Sequence, residues 1–441
     1  MITRLTQHEG TAIITDYAVY SYQQLYDKIL AYKEELSQIN KGEVVGIFSD
    51  YSFESIALFL ALSTMPVIAV PIVPTTDAEL QNKLNAASVQ WLLSISNGIL
   101  NFEKTGIEYS EIDNYKNITD KNQSGLVLFS SGTTGTPKVM VHNLSQLMDS
   151  FAPPKKTRNL NFLLFLLFDH IGGINTLLNC LNSGAAITIP SNRNPEYILQ
   201  LISEKKIQIL PTSPTFLNLM LMTENFNQYD LSSLKMITYG TERMPQNLLL
   251  KVKEKMPKVK LLQTFGTSET GILKTESKSS TSLYFKIIDP DYDYRIEDGQ
   301  LYLKSKNVVN GYLNQDSQQF LGGGWFATGD LIETDEDGYI KIIGRLNKVI
   351  NVGGQKVLPK EVEDVINKVP GVVDSTVFAR DNAITGQMVC AEIVKTKDSE
   401  EAVLKKEILT YCRQELDKYK VPSKIIFADA LSFSNRFKKT K

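Results

Sequence analysis

The sequence predicts an α/β protein whose large N-terminal domain packs mixed sheets against helices and whose small C-terminal domain is α+β. Strand-like and helix-like segments alternate from Val44 to Gly266, where shorter strands with Asp-Gly turns replace them. Of the 441 residues, 42% are hydrophobic, which is ample for a large core. Because single cores rarely grow beyond about 250–300 residues, this length predicts more than one domain.

The first element of the alternating pattern is a βαβ unit. Residues 44–48 are an apolar, valine-rich run that predicts a buried strand. A helix is predicted over residues 53–62 and a second strand over residues 67–70. Two strands joined through a helix predict a parallel sheet.

The alternation continues on both sides of a segment near residue 130 that is rich in Gly, Ser and Thr. A helix is predicted over residues 195–204, and Asp298-Gly299 and Asp337-Gly338 mark later turns. The further predicted strands cover residues 91–95, 186–189, 207–210 and 236–239.

The C-terminal part of the chain has its own pattern and predicts a separate small domain. We place the boundary between residues 346 and 347, which gives an N-terminal domain over 1–346 and a C-terminal domain over 347–441. Helices are predicted over 360–369 and 401–416, and strands over 375–379 and 388–394.

Charge and cysteine content exclude several function classes. The formal charge of −2 gives no reason to expect binding to nucleic acid or to an anionic membrane. The three cysteines are far apart, which argues against a disulfide framework or a metal site and fits a reducing cytoplasm. The most apolar stretch, residues 55–73, contains Pro66 and Pro71 and predicts a buried helix and strand rather than a membrane span.

The most informative segment covers residues 126–138, where an apolar strand runs into a cluster of Gly, Ser and Thr that ends at Pro137-Lys138. Glycines let the backbone approach a ligand, and successive N–H groups, hydroxyls and a lysine are suited to binding phosphate. The spacing is not that of a Walker loop, because the glycines are three residues apart and a proline precedes the lysine. A flexible surface loop is the alternative.

This run resembles the nucleotide loop of the acyl-adenylate-forming superfamily, which includes acyl-CoA synthetases, adenylation domains of nonribosomal peptide synthetases, and luciferases. The resemblance covers essentially the whole chain, and it implies that the small C-terminal domain is mobile. The implied phosphate-binding residues are Ser130, Ser131, Gly132, Thr133, Thr134, Gly135 and Lys138.

Two further segments resemble the walls of the family's adenine site. Residues 263–271 resemble its Tyr-Gly-x-Thr-Glu motif, which implies that Glu269 binds Mg²⁺ and that Phe265 stacks on adenine. Residues 239–245 resemble the opposite wall. The implied nucleotide contacts are Phe265, Gly266, Thr267 and Ser268 in the first segment and Gly240, Thr241 and Glu242 in the second.

The ribose and the catalytic lysine are implied by later segments. Asp330, in a Thr-Gly-Asp motif, matches the aspartate that accepts hydrogen bonds from both ribose hydroxyls, and Arg345 matches the arginine that also reaches the ribose and phosphate. At the C-terminus, Lys438 matches the lysine that binds the substrate carboxylate and the α-phosphate. Three neighbouring residues differ from the family pattern, and Lys439 is an alternative counterpart. Asn347 stands where the family hinge has Asp or Lys.

Residues 168–173 resemble the segment at the mouth of the acyl pocket. His170 matches the histidine of the acyl-CoA synthetases, whereas relatives that activate amino acids have Phe-Asp here and bind the α-amine with that aspartate. The His-x-x-Gly register fits better, so we predict an acid without an α-amine. Ile171 and the two glycines that follow are expected to leave room for the substrate. A histidine buried for structural reasons is the alternative for His170.

The resemblance implies a magnesium-dependent ligase that converts ATP and a small carboxylic acid to acyl-AMP and pyrophosphate, and then passes the acyl group to a thiol. Catalysis is assigned to Lys438, Glu269 and His170. We expect the thiol to be that of CoA, and the phosphopantetheine of an acyl carrier protein is the alternative. A relative that binds nucleotide without catalysis, as a sensor or scaffold, is the alternative from another class. The sequence gives no oligomeric state.

Overall fold

The computed structural model describes residues 1–108, 112–130, 137–151, 159–305, 309, 311–314 and 317–428. The helices within these ranges are α1 (Tyr22–Glu35), α2 (Phe53–Leu62), α3 (Asp77–Ala87), α4 (Asp113–Thr119), α5 (Leu144–Ser150), α6 (Ile171–Ser183), α7 (Pro195–Lys205), α8 (Pro214–Leu221), α9 (Gln246–Lys255), α10 (Pro359–Ile366) and α11 (Glu401–Glu415). Among these residues, none of the helices combines the length and apolar character needed to cross a bilayer.

The strands fall into two groups along the chain. Those before residue 264 are β1 (Thr11–Ile14), β2 (Val19–Ser21), β3 (Val44–Phe48), β4 (Ile68–Ile72), β5 (Trp91–Ser96), β6 (Ile99–Lys104), β7 (Gly125–Ser130), β8 (Lys138–Asn143), β9 (Asn161–Leu163), β10 (Ala186–Thr188), β11 (Ile209–Thr212), β12 (Met236–Tyr239) and β13 (Lys260–Gln263). Those after it are β14 (Phe265–Thr267), β15 (Gly271–Leu273), β16 (Thr275–Ser277), β17 (Phe285–Ile287), β18 (Tyr292–Glu297), β19 (Gln300–Ser305), β20 (Phe320–Leu321), β21 (Trp325–Thr334), β22 (Ile340–Arg345), β23 (Ile350–Val352), β24 (Gln355–Val357), β25 (Val372–Asn382), β26 (Gly386–Lys395) and β27 (Lys424–Ala428).

Two mostly parallel sheets form the centre of the N-terminal part. One has the strand order β6-β5-β3-β4-β7-β8 and the other β13-β12-β11-β9-β10-β1-β2. The predicted βαβ unit is confirmed, because β3 and β4 pair in parallel and α2 connects them. Every residue of α2 except Glu54 is buried, since this helix lies in the main apolar core with α1 and α6 and has no polar face.

An antiparallel sheet follows, with the order β16-β17-β22-β21-β19-β18 and with β20 paired to β21. Asp298 and Gly299 both have positive φ (51° and 73°) and form the tight turn between β18 and β19. The predicted Asp-Gly turn is therefore confirmed, whereas the predicted shortening of the strands is wrong, because β21 alone spans ten residues.

The C-terminal part forms its own sheet, ordered β24-β23-β26-β25 with β27 parallel to β26, and α10 and α11 share its apolar core. The predicted α+β pattern is confirmed. The predicted boundary falls inside the 3-10 turn Leu346–Lys348 and remains a prediction.

One predicted strand is displaced along the chain. We predicted a strand over 207–210, and β11 begins two residues later, at Ile209. Lys206 adopts a left-handed conformation (φ 50°) that ends α7, and the N–H of Ile207 still donates to the carbonyl of Ile202. The helix end therefore uses the residues that the apolar pattern assigned to the strand.

Candidate active site

Two predicted nucleotide segments lie side by side because they follow neighbouring parallel strands. β12 and β13 pair in register, with Tyr239 opposite Gln263, so the segments that begin at Gly240 and Thr264 leave the same edge of the sheet. Ligands bind at the carboxyl ends of strands in open α/β sheets. A Cβ atom at Gly240 would lie 2.5 Å from Thr264 Oγ1, so this close approach requires glycine.

The phosphate loop is bounded by two paired residues. Ser130 ends β7 and lies opposite Lys138, the first residue of β8. The loop between them carries Ser131, Gly132, Thr133, Thr134 and Gly135, which lie outside the described residues. The ends of the predicted loop are therefore fixed in an antiparallel pair.

Glu269 lies in a turn held by Thr267. The hydroxyl of Thr267 accepts hydrogen bonds from the N–H groups of Glu269 and Thr270, each at 3.2 Å. A Cβ at Gly266 would come within 2.2 Å of the Gly271 carbonyl, so the hairpin of β14 and β15 closes only with glycine there. The Glu269 carboxylate is 2.7 Å from the hydroxyl of Tyr312.

Asp330 and Arg345 form an ion pair across neighbouring strands. They lie opposite each other on β21 and β22, with Arg345 Nε 2.7 Å from Asp330 Oδ1. Asp330 is 3% exposed, and burial raises its pKa while Arg345 acts in the opposite direction. The charge of Glu269 also raises the pKa of both residues.

Phe265 lies largely buried at the start of β14. Its side chain is 6% exposed and packs in the core of the antiparallel sheet, with its ring centroid 5.7 Å from that of Phe285. The expected stacking of Phe265 on adenine stays a prediction.

Glu242 has a structural partner in the neighbouring helix. Its carboxylate accepts a hydrogen bond of 2.7 Å from the N–H of Thr215, in the first turn of α8. Thr241, just before it, has a positive φ of 70°. These contacts explain the sharp turn after β12, and the predicted contact of this segment with the nucleotide remains a prediction.

His170 begins α6. Its Nδ1 atom accepts a hydrogen bond of 3.0 Å from the N–H of Gly172, which caps the helix. The expectation that the two glycines leave room for substrate is wrong. A Cβ at Gly173 would lie 2.2 Å from the carbonyl of Leu167, and one at Gly172 would lie 3.0 Å from Leu166 Cδ1, so the protein itself fills that space.

Asp169 is paired with a lysine of the same chain. Its carboxylate is 3.8 Å from the ammonium of Lys83, which α3 contributes, and the two residues are 2% and 6% exposed. Lys83 also contacts Glu79 at 2.9 Å. The sequence pattern did not point to Lys83, because it lies 86 positions before Asp169 in a polar, amphipathic helix.

The remaining predicted catalytic residue, Lys438, lies outside the described residues, as does its alternative Lys439. The sequence analysis did not single out Tyr312, which contacts two of the predicted site residues, Glu269 and Lys138.

The pH dependence of stability tests whether His142, next to Ser268, is buried as a neutral imidazole. It is buried in β8 against the backbone of Ser268, and burial lowers its pKa from 6.5 to about 4. Between these two pKa values the unfolded chain binds a proton that the folded chain does not, so stability falls as the pH falls through this window. Between about pH 7 and about pH 5, we expect the free energy of unfolding of the wild type to fall by about 2 kcal/mol more than that of His142→Gln.

Urea unfolding at the two pH values measures this difference directly. The other titrating groups are common to both proteins, so their contributions cancel in the comparison. An equal loss of stability in the wild type and in His142→Gln would contradict the burial of a neutral imidazole.

Two family models match the chain. The model of the AMP-binding enzyme family covers residues 4–313, and that of the AMP-binding enzyme C-terminal domain covers residues 361–438.

Two curated relatives are CoA ligases. 4-Coumarate-CoA ligase 1 of Narcissus pseudonarcissus is 29% identical over 334 residues, which span 69% of this chain and 61% of that protein. The 2-succinylbenzoate–CoA ligase of Staphylococcus aureus (strain MRSA252) is 26% identical over 470 residues, 94% of this chain and 93% of that protein.

Solved structures share the fold across nearly the whole chain. The anthranilate CoA ligase AuaEII in complex with anthranoyl-AMP has a TM-score of 0.82 at 21% identity, with 99% of this chain and 95% of that chain covered. ATP-bound MatB from Rhodopseudomonas palustris has a TM-score of 0.83 at 21% identity, with coverage of 99% and 96%. At these identities the likeness shows the fold alone.

Proposed function

This chain belongs to the AMP-binding enzyme family, and from that premise we propose that it joins a carboxylic acid without an α-amine to the thiol of CoA. The family match confirms the resemblance, the fold class and the ligase class predicted from the sequence. The observation that carries the proposal is the convergence of separate motifs: Arg345 pairs with Asp330 at 2.7 Å, and the segments that begin at Gly240 and Thr264 leave the same edge of one sheet.

The proposed reaction has two steps. The carboxylate oxygen of the acid attacks the α-phosphorus of ATP, so a carbon–oxygen–phosphorus bridge forms and the bond to pyrophosphate breaks. The thiol then attacks the acyl carbon, AMP leaves with the bridging oxygen, and the thiol proton goes to solvent. Positioning and charge neutralisation supply most of the rate enhancement, because two anions must meet in the first step.

We assign the nucleotide to the edge of the sheet where β12 and β13 end. Asp330 would accept hydrogen bonds from the ribose hydroxyls, since a carboxylate is an acceptor only and suits a diol. Lys138 and the loop before it would bind the phosphates. Arg345, held in place by Asp330, would face the ribose and the α-phosphate.

The site fits Mg²⁺ bound jointly by protein and nucleotide. In the described part of the chain, no cluster of three or more His, Cys, Asp or Glu residues is placed to enclose a metal. Mg²⁺ is commonly bound by one or two carboxylates together with substrate phosphates, so Glu269 alone is a sufficient protein ligand. Bound there, the ion would neutralise phosphate charge.

We propose that the C-terminal domain, residues 347–441, changes its contacts between the two steps. Lys438 would serve the first step, and the face formed by Lys348–Gln355 would replace it in the second, with Gly353-Gly354 beside the pantetheine. In the structure, α10 contacts the segment after β12 through Arg243 and Asp364, which form an ion pair of 2.6 Å. Beside this pair, the side-chain amide of Asn247 donates to the carbonyl of Asn367 at 3.1 Å.

The pairing of Lys83 with Asp169 supports a substrate without an α-amine. An aspartate that binds an ammonium group of the substrate must present its carboxylate to the acyl pocket. Here the carboxylate of Asp169 is buried against an ammonium of the same chain. A second ammonium at this position would meet like charge.

The same pair gives a stability prediction. Lys83→Met removes the counter-charge of a buried carboxylate, and we expect it to lower the free energy of unfolding by about 3 kcal/mol, the range seen when one partner of a buried pair is removed. The double variant Lys83→Met/Asp169→Asn should recover much of this loss. Lys206→Met is the matched control, because it breaks an exposed pair with Asp230 and should cost less than about 1 kcal/mol.

Urea unfolding of these variants is the measurement. If Lys83→Met is no more destabilising than Lys206→Met, the pair does not satisfy the Asp169 carboxylate, and that residue would be open to a substrate amine.

A pyrophosphate-release screen tests the proposed function. The purified protein is incubated with ATP, Mg²⁺ and aliphatic, aromatic or α-amino acids, each with CoA and with a phosphopantetheinylated carrier protein. We expect pyrophosphate, AMP and an acyl-CoA from an aliphatic or aromatic acid. Thioester on the carrier alone would favour the carrier-loading alternative. ATP binding without pyrophosphate release from any acid would favour the sensor or scaffold.

A further inference from the structure

Tyr312 contacts two residues that the proposed function places around the phosphates of ATP. Its hydroxyl is 2.7 Å from Glu269 Oε1, and its ring centroid is 4.7 Å from the ammonium of Lys138. The side chain is 8% exposed. One residue therefore joins the carboxylate assigned to Mg²⁺ with the lysine of the phosphate loop.

The backbone around Tyr312 is tied to both sides of this arrangement. The N–H of Val309 donates to the carbonyl of Glu269 at 3.0 Å. On the other side, Tyr312 forms a bridge with Met140 of β8, and the N–H of Leu313 donates to the carbonyl of Val139 at 3.1 Å. The contacts fix the distance between β8, which begins at Lys138, and the turn that carries Glu269.

The side chain of Tyr312 is also held in one orientation. Its ring packs edge-on against Phe320, with centroids 5.3 Å apart, and its hydroxyl lies 3.0 Å from Gln319 Oε1. Its N–H donates to Ser317 Oγ at 3.1 Å. Gly311 has φ +107°, and a Cβ there would lie 2.8 Å from Ser317 Oγ, so the approach to Tyr312 requires glycine.

We propose that Tyr312 is a positioning residue of the adenylation site: its hydroxyl orients Glu269 for Mg²⁺, and its ring supports the ammonium of Lys138 beside the phosphates. The inference rests on the proposed function. Groups that hydrogen-bond a metal-binding carboxylate fix its orientation, and their loss commonly lowers metal affinity by about 10- to 100-fold. A cation over an aromatic face is attracted by the ring, which restricts the flexible lysine.

Tyr312→Phe separates the two roles, because it removes the hydroxyl and keeps the ring. Calorimetric titration with ATP at a series of Mg²⁺ concentrations measures the Mg²⁺ requirement of nucleotide binding without turnover. We expect the Mg²⁺ concentration for half-maximal effect to rise about tenfold or more, with ATP affinity at saturating Mg²⁺ nearly unchanged. Tyr312→Leu also removes the ring and should further weaken ATP about threefold at saturating Mg²⁺.

Tyr284→Phe is the matched control. Tyr284 also hydrogen-bonds a glutamate, Glu333 of β21, but at an exposed surface, so its loss should leave the Mg²⁺ requirement unchanged. Thermal unfolding of each variant shows whether the protein is still folded, so that a changed Mg²⁺ requirement can be assigned to a misplaced Glu269 carboxylate. In a Glu269→Gln background, Tyr312→Phe should cause no further change, since the hydroxyl acts through the carboxylate.

An unchanged Mg²⁺ requirement in folded Tyr312→Phe would overturn the inference, as would an equal change in Tyr284→Phe. Failure of the proposed function looks different: the wild type would then release no pyrophosphate with any acid, whether or not it binds ATP. The pyrophosphate-release screen and the wild-type titration are therefore read first, and together they distinguish the two failures.

Discussion

Asp330→Ala is expected to raise the KM for ATP by about a hundredfold or more while leaving the KM for the acid nearly unchanged. Hydrogen bonds to a charged group contribute about 1.5–3 kcal/mol each, and the substitution removes the carboxylate assigned to the ribose diol. It also releases Arg345 from its 2.7 Å contact. Steady-state pyrophosphate release with one substrate varied at a time measures both constants.

The matched control is Asp335→Ala. Asp335 lies just after β21, the strand that carries Asp330. It also pairs with a cation, because the ammonium of Lys278 is 2.7 Å from its carboxylate, but this pair lies at the surface. It should leave the KM for ATP unchanged. If Asp330→Ala does the same, Asp330 is not part of the nucleotide site, and its pairing with Arg345 serves the fold alone.

Lys438→Ala is expected to abolish acyl-AMP formation and largely to spare thioester formation from supplied acyl-AMP. The lysine is assigned to the carboxylate and α-phosphate, whose mutual repulsion opposes only the first step. Pyrophosphate release measures the first half-reaction, and conversion of synthetic acyl-AMP with CoA measures the second. The two assays together distinguish a lost catalytic charge from an unfolded domain, which would impair both.

Lys439→Ala is the control for the assignment at the C-terminus, where three neighbouring residues depart from the family pattern. It should retain both half-reactions. The assignment is off by one position if pyrophosphate release survives in Lys438→Ala and disappears in Lys439→Ala.

The sequence predicted those elements that depend on local pattern. The burial of α2 could be predicted, because a helix without a polar face must be buried. The βαβ unit around it could also be predicted, because two strands joined through a helix form a parallel pair. The start of β11 was predicted two residues too early. The end of α7 depends on the left-handed conformation of Lys206, which a hydrophobic pattern does not predict.

The site was predictable as a set of motifs but not as a set of contacts. The resemblance could pick out Glu269 and Asp330, whereas Tyr312 and Lys83 enter through contacts with residues 43 and 86 positions away along the chain. The core packing of Phe265 could not be predicted for the same reason: its neighbours in the core come from strands that the motif does not include. Side-chain surroundings of this kind require the tertiary structure.

The account's central claim is that a carboxylate attacks the α-phosphate of ATP. The most direct measurement uses an acid labelled with ¹⁸O in its carboxyl group, together with ATP, Mg²⁺ and CoA, and determines the isotopic content of the released AMP by mass spectrometry. The account predicts one ¹⁸O atom in the AMP, because the bridging oxygen of the acyl-adenylate comes from the acid and leaves with AMP. Unlabelled AMP, or ADP and labelled inorganic phosphate in its place, would contradict it.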